Sequence, residues 1–198
     1  MESASIDEVY ADFTDNFAES IGSSGSGALG GAIANVKTYP VMGNIYGNFT
    51  NNKAISEYNG TTTVQAAAGG AIANGGIMGD IEGNFRNNKA FNDGISVATG
   101  GAIQNTNALG YKLQINGSRV SIIPSKGIVN SNFYDNVAES TKGLALGGAI
   151  MTYEDLNIWA DNGTSEFKGN KAISYSATDD KKEKDEAIFV YTATGATK

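Results

Sequence analysis

The chain of 198 residues contains no cysteine and no histidine, and Arg86 and Arg119 are its only arginines. Without cysteine and histidine it has no disulfide, no thiol nucleophile, no imidazole acid–base group and none of the usual zinc ligand sets. The formal net charge of −7 argues against a nucleic-acid partner, because phosphate backbones are bound by basic surfaces. No apolar run approaches the roughly 20 residues of a membrane-spanning helix, so we expect no direct membrane insertion.

Glycine and asparagine are abundant instead, and they occur within a repeated sequence. The stretch Met42–Ala54 returns 36 residues later as Met78–Ala90, with ten of its thirteen positions identical. Self-similarity at a fixed period is the sequence signature of repeat architectures, in which each unit packs against its neighbours.

Two short motifs alternate along most of the chain. The first is Phe-x-x-Asn, each copy followed two residues later by alanine, at Phe13 and Asn16, Phe49 and Asn52, Phe85 and Asn88, Phe133 and Asn136, and Phe167 and Asn170. The second is Gly-Gly-Ala-Ile, at Gly30, Gly31, Ala32 and Ile33; Gly69, Gly70, Ala71 and Ile72; Gly100, Gly101, Ala102 and Ile103; and Gly147, Gly148, Ala149 and Ile150.

The spacing of these motifs predicts an all-β solenoid. Successive motif starts are 14 to 20 residues apart, except for one gap of 33 residues between Gly100 and Phe133. Each interval suits one coil of a β-solenoid, and the double gap suits two. We therefore predict a single parallel β-helix of roughly ten coils over residues 1–198, as a segment of a longer chain.

Alternation within each motif predicts which side chains point inward. Ile45, Gly47 and Phe49 share one face of a strand. In the second motif, Leu29, Gly31 and Ile33 share a face in the same way. A glycine among inward positions is expected to leave room for a phenylalanine of the neighbouring coil. The recurring asparagine is expected at a corner, where stacked asparagines can form a ladder of hydrogen bonds.

Four segments lie outside the motifs. Residues 1–8 are expected to form an N-terminal cap, and the apolar spacing from Ile6 allows a short helix there. Residues 113–123 fit either a hairpin, because of the Asn-Gly pair within them, or a coil without motifs. Residues 179–186 are a charged run that we interpret as a solvated loop, and Ala187–Tyr191 reads as a further strand.

The alternating motifs resemble those of chlamydial polymorphic outer membrane proteins and related autotransporter passengers, over roughly residues 13–172. The resemblance implies a right-handed parallel β-helix, displayed at the bacterial cell surface or outer membrane or secreted, often with adhesive function. It also implies a partner on the host-cell surface, either a protein or a glycan. The chain lacks the cysteines common in the chlamydial members.

The motif residues themselves are best explained as packing residues, because they recur in every coil. Adhesion would then depend on outward side chains and on three variable segments, Ser56–Gln65, Asn105–Lys112 and Thr152–Ser165. The last contains Trp159, the only tryptophan, and a single tryptophan fills a core more often than it anchors a ligand.

Carboxylates decide between adhesion and catalysis, because β-helix enzymes that act on polysaccharides bring two or three acids together in a groove. Asp80 and Glu82 point outward together, and Asp15 and Asp135 occupy equivalent corners of different coils. No such arrangement recurs on adjacent coils. We therefore predict a structural and adhesive module that is not an enzyme and needs no cofactor or metal. A carbohydrate-active enzyme and an inert spacer are the alternatives.

Overall fold

The computed structural model of the chain describes residues 5–22, 27–36, 41–58, 66–116, 119–161, 163–175 and 181–191. These residues form 26 β-strands and no helix. It follows that none of the described segments is a helix long and apolar enough to cross a membrane. The fold class is all-β, as the sequence predicts.

The strands occur in successive sets along the chain, and we call each set a coil. The first coil contains β1 (Ser5–Tyr10), β2 (Phe13–Thr14), β3 (Phe17–Gly22), β4 (Ala28–Leu29) and β5 (Ile33–Asn35). The second contains β6 (Val41–Tyr46), β7 (Phe49–Thr50), β8 (Lys53–Tyr58), β9 (Ala67–Ala68) and β10 (Ile72–Asn74). The third contains β11 (Ile77–Met78), β12 (Ile81–Arg86), β13 (Lys89–Asp93), β14 (Ala98–Thr99) and β15 (Ile103–Asn105).

A hairpin interrupts the chain before the fourth coil. It consists of β16 (Tyr111–Asn116) and β17 (Arg119–Pro124). The fourth coil contains β18 (Ile128–Tyr134), β19 (Val137–Ser140), β20 (Ala145–Leu146) and β21 (Ile150–Thr152). The fifth contains β22 (Ile158–Trp159), β23 (Phe167–Lys168), β24 (Lys171–Tyr175), β25 (Lys181–Lys184) and β26 (Ile188–Val190).

Equivalent strands of successive coils pair side by side in four sheets. Sheet A contains β1, β6, β12, β18 and β22, together with β2, β7, β11 and β23. Sheet B contains β3, β8, β13, β19, β24 and β25; sheet C contains β4, β9, β14 and β20; sheet D contains β5, β10, β15, β21 and β26. Every pairing within these sheets is parallel except that of β24 with β25, which is antiparallel. Such stacked parallel sheets are compatible with a β-solenoid.

The pairing registers do not confirm the prediction of roughly ten coils. Phe49 pairs with Phe13 and Phe85, while Ile72 pairs with Ile33 and Ile103. Each motif therefore stacks on the same motif of the neighbouring coil, and each of the first four coils contains one copy of each motif. Successive Phe-x-x-Asn motifs are 36 residues apart in the first three coils, as in the hydrogen bonds that join Asn52 to Asn88. The next interval, which contains the hairpin, is 48 residues, and the last is 34. The described strands fall into five coils.

The main core consists of stacked side chains from sheets A and D. The rings of Phe13, Phe49, Phe85, Phe133 and Phe167 form one column, with centroids 4.6 to 4.8 Å apart and planes within 9° of parallel. Ile72, Ile103 and Ile150 form a second column with no exposed surface. A smaller cluster of alanines fills the space between sheets B and C. Burial of the apolar side chains in these columns is the main contribution to the stability of the fold.

The asparagine ladder that the sequence predicts is present. The Oδ1 atom of Asn88 accepts hydrogen bonds from the backbone N and the Nδ2 of Asn52, at 3.0 Å each. The same pattern joins Asn16 to Asn52, Asn88 to Asn136 and Asn136 to Asn170. The left-handed residue of the corner is the one before the motif asparagine: Asp15, Asn51, Asn87, Asp135 and Gly169, with φ between 54° and 68°.

A second ladder follows the glycine motif and was not predicted. Asn35 donates to Asn74, Asn74 donates to Asn105, and Asn105 donates to the Thr152 hydroxyl, at 2.8 to 3.1 Å. These residues lie two positions after the motif isoleucine in each coil. The recurrence of Gly-Gly-Ala-Ile-x-Asn in three copies was the signal that could have indicated it.

The first glycine of the second motif breaks the strand alternation. Gly30, Gly69, Gly100 and Gly147 all have φ between 59° and 65°, a left-handed conformation that glycine adopts without steric cost. Because the chain turns there, the residue before it does not share a face with Ile33. The prediction that Leu29 points inward is therefore wrong: its side chain is exposed, and Ala28 is buried in its place.

The second glycine is required by a close approach of backbone to backbone. A Cβ atom built at Gly70 would lie under 3.0 Å from the Gly101 carbonyl oxygen and from the backbone nitrogen of Lys89. Equivalent close contacts occur at Gly31, Gly101 and Gly148. The expectation that this glycine makes room for a phenylalanine ring is thus wrong, because its neighbours are main-chain atoms.

This contact predicts that Gly70→Ala is destabilising. The new methyl group would meet the Gly101 carbonyl between β14 and β15 and the backbone of Lys89 in β13, and neither can move without separating hydrogen bonds between coils. We expect a loss of about 3 kcal/mol, at the upper end of overpacking costs, measured by urea unfolding followed by circular dichroism.

Gly75→Ala is the matched control, because a methyl group added at that position would have its nearest neighbouring atoms 3.5 Å away, an ordinary contact. We expect a change within about 0.5 kcal/mol there. Equal losses at the two positions would contradict the close approach at Gly70.

The structure describes most of the four segments that lie outside the motifs, and their predictions can be compared with it one by one. Residues 5–8 belong to β1, which pairs with β6, so the helix expected before Val9 is not found in them; residues 1–4 lie outside the described residues. The hairpin alternative for 113–123 is confirmed by the antiparallel pairing of β16 and β17. The loop predicted at 179–186 is wrong for Lys181–Lys184, which is the exposed strand β25. The strand predicted within Ala187–Tyr191 is confirmed as β26.

Strand β25 is held to sheet B partly by charge. Lys171 and Lys181 both form ion pairs with Glu183. Hydrogen bonds from these two lysines lower the pKa of the Glu183 carboxyl from the usual 4.5 to about 2. Because the folded pKa is depressed, the ionised carboxylate stabilises this edge above about pH 4.5, and the contribution is lost as the pH falls through about 2.

We therefore expect Glu183→Gln to lower the hydrogen-exchange protection of the β25 amides near neutral pH. The difference from the wild-type chain should shrink as the pH falls toward the pKa of Glu183. Glu19→Gln, which changes an exposed carboxylate on β3, is the control and should leave β25 protection unchanged. A pH-independent difference would rule out the ion pairs as its cause.

Candidate binding surface

Two rows of outward side chains cross the face of sheet A. Because each motif phenylalanine points inward, the residues before and after it point outward. The residues before it form what we call the amide row: Asp12, Asn48, Asn84, Asn132 and Glu166. The residues after it form what we call the mixed row: Thr14, Thr50, Arg86, Tyr134 and Lys168.

A shallow groove of about 500 Å³ lies over the first four coils of these rows. It is lined by Asp12, Thr14, Asn48, Thr50, Asn84, Arg86 and Tyr134. Adjacent positions in each row are one strand spacing apart, about 4.8 Å. The groove is therefore a regular polar surface that runs along the stacking direction of the coils.

Hydrogen bonds between neighbouring coils fix the amide row. Asn48 donates from Nδ2 to Asp12 Oδ1 at 2.9 Å, and Asn84 donates to Asn48 Oδ1 at 2.8 Å. Asn132 donates to Asn84 at 3.0 Å, and its own Oδ1 accepts from the backbone of Glu166. Each carboxamide thus keeps one orientation, and its second N–H is free to face the groove.

The mixed row contains the groove's cation. The Arg86 guanidinium lies over the ring of Tyr134, 4.7 Å from the ring centroid. The Tyr134 hydroxyl donates to Glu166 Oε2 at 2.8 Å, and this hydrogen bond raises the pKa of Tyr134 above its usual value. The ring is therefore held in place beneath the guanidinium.

A second concavity of about 540 Å³ lies at the other end of the first strands, beside the hairpin. It is lined by Ile6, Asp7, Glu8, Val41, Gly43, Asn44 and Lys112. The rings of Tyr10 and Tyr46 stack between the two concavities with centroids 4.7 Å apart. The Tyr10 hydroxyl donates to Glu8 at 2.8 Å, and this hydrogen bond raises the pKa of Tyr10.

The carboxylates considered for catalysis have structural partners. Asp80 accepts hydrogen bonds from the Ser125 hydroxyl and from the backbone nitrogens of Lys126 and Gly127, at 2.6 to 2.8 Å. These contacts anchor the end of the hairpin to the third coil. Glu82 accepts from Asn130.

Asp15 and Asp135 are not neighbours. Asn51 and Asn87 occupy the corners between them, and Asp15 accepts a hydrogen bond from Asn51 at 3.0 Å. Across the described ranges, no group of three or more histidine, cysteine, aspartate or glutamate side chains could hold a metal ion.

Two of the three variable segments lie next to each other. Residues 59–65 of the first segment are outside the described residues. The second and third meet at a small concavity of about 160 Å³, lined by Asn107, Ala108, Leu109, Tyr111, Glu154 and Asp155. Trp159 pairs with Val129 in sheet A and is 49% exposed, so the interpretation of this residue as core filling is wrong.

The motif residues lie behind this surface. The phenylalanines and isoleucines are in the core, and the asparagines are in the buried ladder. Strand alternation around Phe49 and Phe85 places Asn48 and Asn84 outward, but alternation alone does not show that the two align as neighbours. Their equivalent positions in the 36-residue repeat were the signal that could have shown this.

These features describe an all-β protein of stacked parallel sheets, compatible with a β-solenoid, with a polar groove on one sheet face. Comparison of the chain with protein-family models, with curated proteins and with solved structures finds no match in any of the three.

Proposed function

We propose that this chain is a segment of a surface-displayed adhesin of the autotransporter type, built as a right-handed parallel β-helix. Its role is binding and structure, without catalysis. The observation that carries the proposal is the groove on sheet A, where two fixed rows of polar side chains face solvent. Its proposed partner is a glycan or protein of the host-cell surface.

Three features support a binding module. The groove is lined by carboxamide, hydroxyl, guanidinium and phenol groups. These groups can form hydrogen bonds with a ligand without making or breaking its covalent bonds. Asp80, which accepts three hydrogen bonds, anchors a hairpin. The alternating motifs resemble those of polymorphic outer membrane proteins, and display at a bacterial surface is proposed on that resemblance.

The test is binding of the full chain to cultured mammalian cells and to an array of immobilised glycans. Thr50 points into the groove, so Thr50→Trp should obstruct it and reduce binding about tenfold or more, as loss of a central contact does. Lys53→Trp places the same bulk on an exposed position of sheet B and should leave binding unchanged.

Three other results would contradict the proposal. No binding above background by the wild-type chain would favour an inert spacer. Release of shorter oligosaccharides from a polysaccharide would favour a carbohydrate-active enzyme. Equal loss of binding in the two tryptophan variants would place the binding surface outside the groove.

A further inference from the structure

We propose that the groove on sheet A binds a glycan that carries carboxylate groups, and that Arg86 is the residue that recognises the carboxylate. This inference rests on the proposed binding function and adds the chemical class of the ligand.

The first observation is that Arg86 forms no ion pair within the part of the chain that the structure describes. Among the described residues, all ion pairs involve lysines, although the chain has 21 acidic residues and 14 basic ones. The contact made by the guanidinium is with the face of the Tyr134 ring. Stacking uses the face of the guanidinium and leaves its edge N–H groups free, and this edge is what binds a carboxylate in bidentate fashion.

The second observation is the charge pattern around Arg86. Its neighbours in the amide row, on its own coil and on the two adjacent coils, are Asn84, Asn48 and Asn132, all neutral. Of the acidic members of the row, Asp12 lies two coils away. The Glu166 carboxylate is hydrogen-bonded to the Tyr134 hydroxyl and forms no ion pair with the guanidinium. The middle of the groove is therefore locally suited to an anion.

The third observation separates a glycan from an acidic peptide. The groove lies on the face of sheet A, where the backbone groups of neighbouring strands are already paired with each other. A peptide cannot add a strand there, because that mode needs a free sheet edge. Side-chain amides on the second to fourth coils and the hydroxyls of Thr14 and Thr50 on the first two remain, and these suit the hydroxyl groups of successive sugar units.

The experiment compares matched pairs of probes on the full chain. Oligogalacturonate is compared with its methyl ester, and sialyllactose is compared with lactose, by isothermal titration calorimetry. We expect the carboxylated member of at least one pair to bind at least tenfold more tightly than its neutral counterpart, the factor that a charge-assisted hydrogen bond provides.

Variants then assign the effect to Arg86. Arg86→Gln should abolish the preference for the carboxylated probe, and Arg86→Lys should retain part of it, because it keeps the charge but loses the bidentate geometry. Lys53→Gln, which removes an exposed cation on sheet B, should leave the preference intact. Circular dichroism and the melting temperature should match those of the wild-type chain in all three.

The outcomes distinguish this inference from the proposed function. Equal binding of neutral and carboxylated probes, or a preference that survives Arg86→Gln, would overturn the inference and leave adhesion standing. Binding to an acidic peptide in place of either glycan would overturn it as well. Cell binding that Thr50→Trp does not reduce would instead contradict the groove as the binding site.

Discussion

The Asn88→Asp substitution is expected to destabilise the fold by about 3–5 kcal/mol near neutral pH, the cost of a buried charge without a partner. Asn88 has no exposed surface. Its Nδ2 donates to the Phe49 carbonyl oxygen and to Asn136 Oδ1, both at 2.9 Å. A carboxylate oxygen in its place would face two acceptors at hydrogen-bond distance and would remove both donors.

The destabilisation should depend on pH with a definite sign. Burial raises the pKa of the introduced carboxyl, so its protonated form is favoured in the folded chain. The loss of stability relative to the wild-type chain should therefore be smaller in acid and grow as the pH rises above the ordinary carboxyl value of about 4. Urea unfolding of both chains across this range measures the difference.

Asn87→Asp is the matched control for this experiment. It makes the same change one residue earlier, at an exposed corner with φ of 55°. The equivalent corners of other coils already contain Asp15 and Asp135. We expect a change within about 0.5 kcal/mol. Similar losses of stability in the two variants would contradict the inference that the buried asparagine ladder stabilises the fold.

Phe85→Ala is expected to cost about 3–5 kcal/mol, the range for truncating a buried phenylalanine. The ring has no exposed surface and lies between Phe49 and Phe133, with centroid distances of 4.6 and 4.7 Å. Its removal would leave a cavity in the middle of the column and remove two stacked contacts. Chemical unfolding with a circular dichroism signal measures the loss.

Phe17→Ala is the control, because Phe17 is 53% exposed on sheet B. Its truncation should cost about 1 kcal/mol or less, as for a partly exposed position. A loss below about 1 kcal/mol for Phe85→Ala, far under the range for a core ring, would contradict the column as the main core.

Several features could be predicted from the sequence because they depend on local chemistry. The inward position of Phe49 follows from the alternation of a strand. The Asn-Gly pair in the sequence offered the hairpin of β16 and β17 as one of two alternatives, and the strand pairing decided between them. The helix expected before Val9 was wrong because pairing with β6 determines that segment, and spacing alone cannot reveal a partner strand. The same holds for β25, whose pairing with β24 overrides a charged composition typical of loops.

The sequence alone determined that the protein is all-β, that it is built from repeats, and that its phenylalanines and asparagines recur as structural residues. The tertiary structure decided how many residues make one coil. Ring stacking and the asparagine ladder both require identical side chains on adjacent strands, so a coil must close over the 34 to 48 residues between successive Phe-x-x-Asn motifs rather than over one motif. Only that closure places Asn48 beside Asn84 and Arg86 over Tyr134, and so creates the groove.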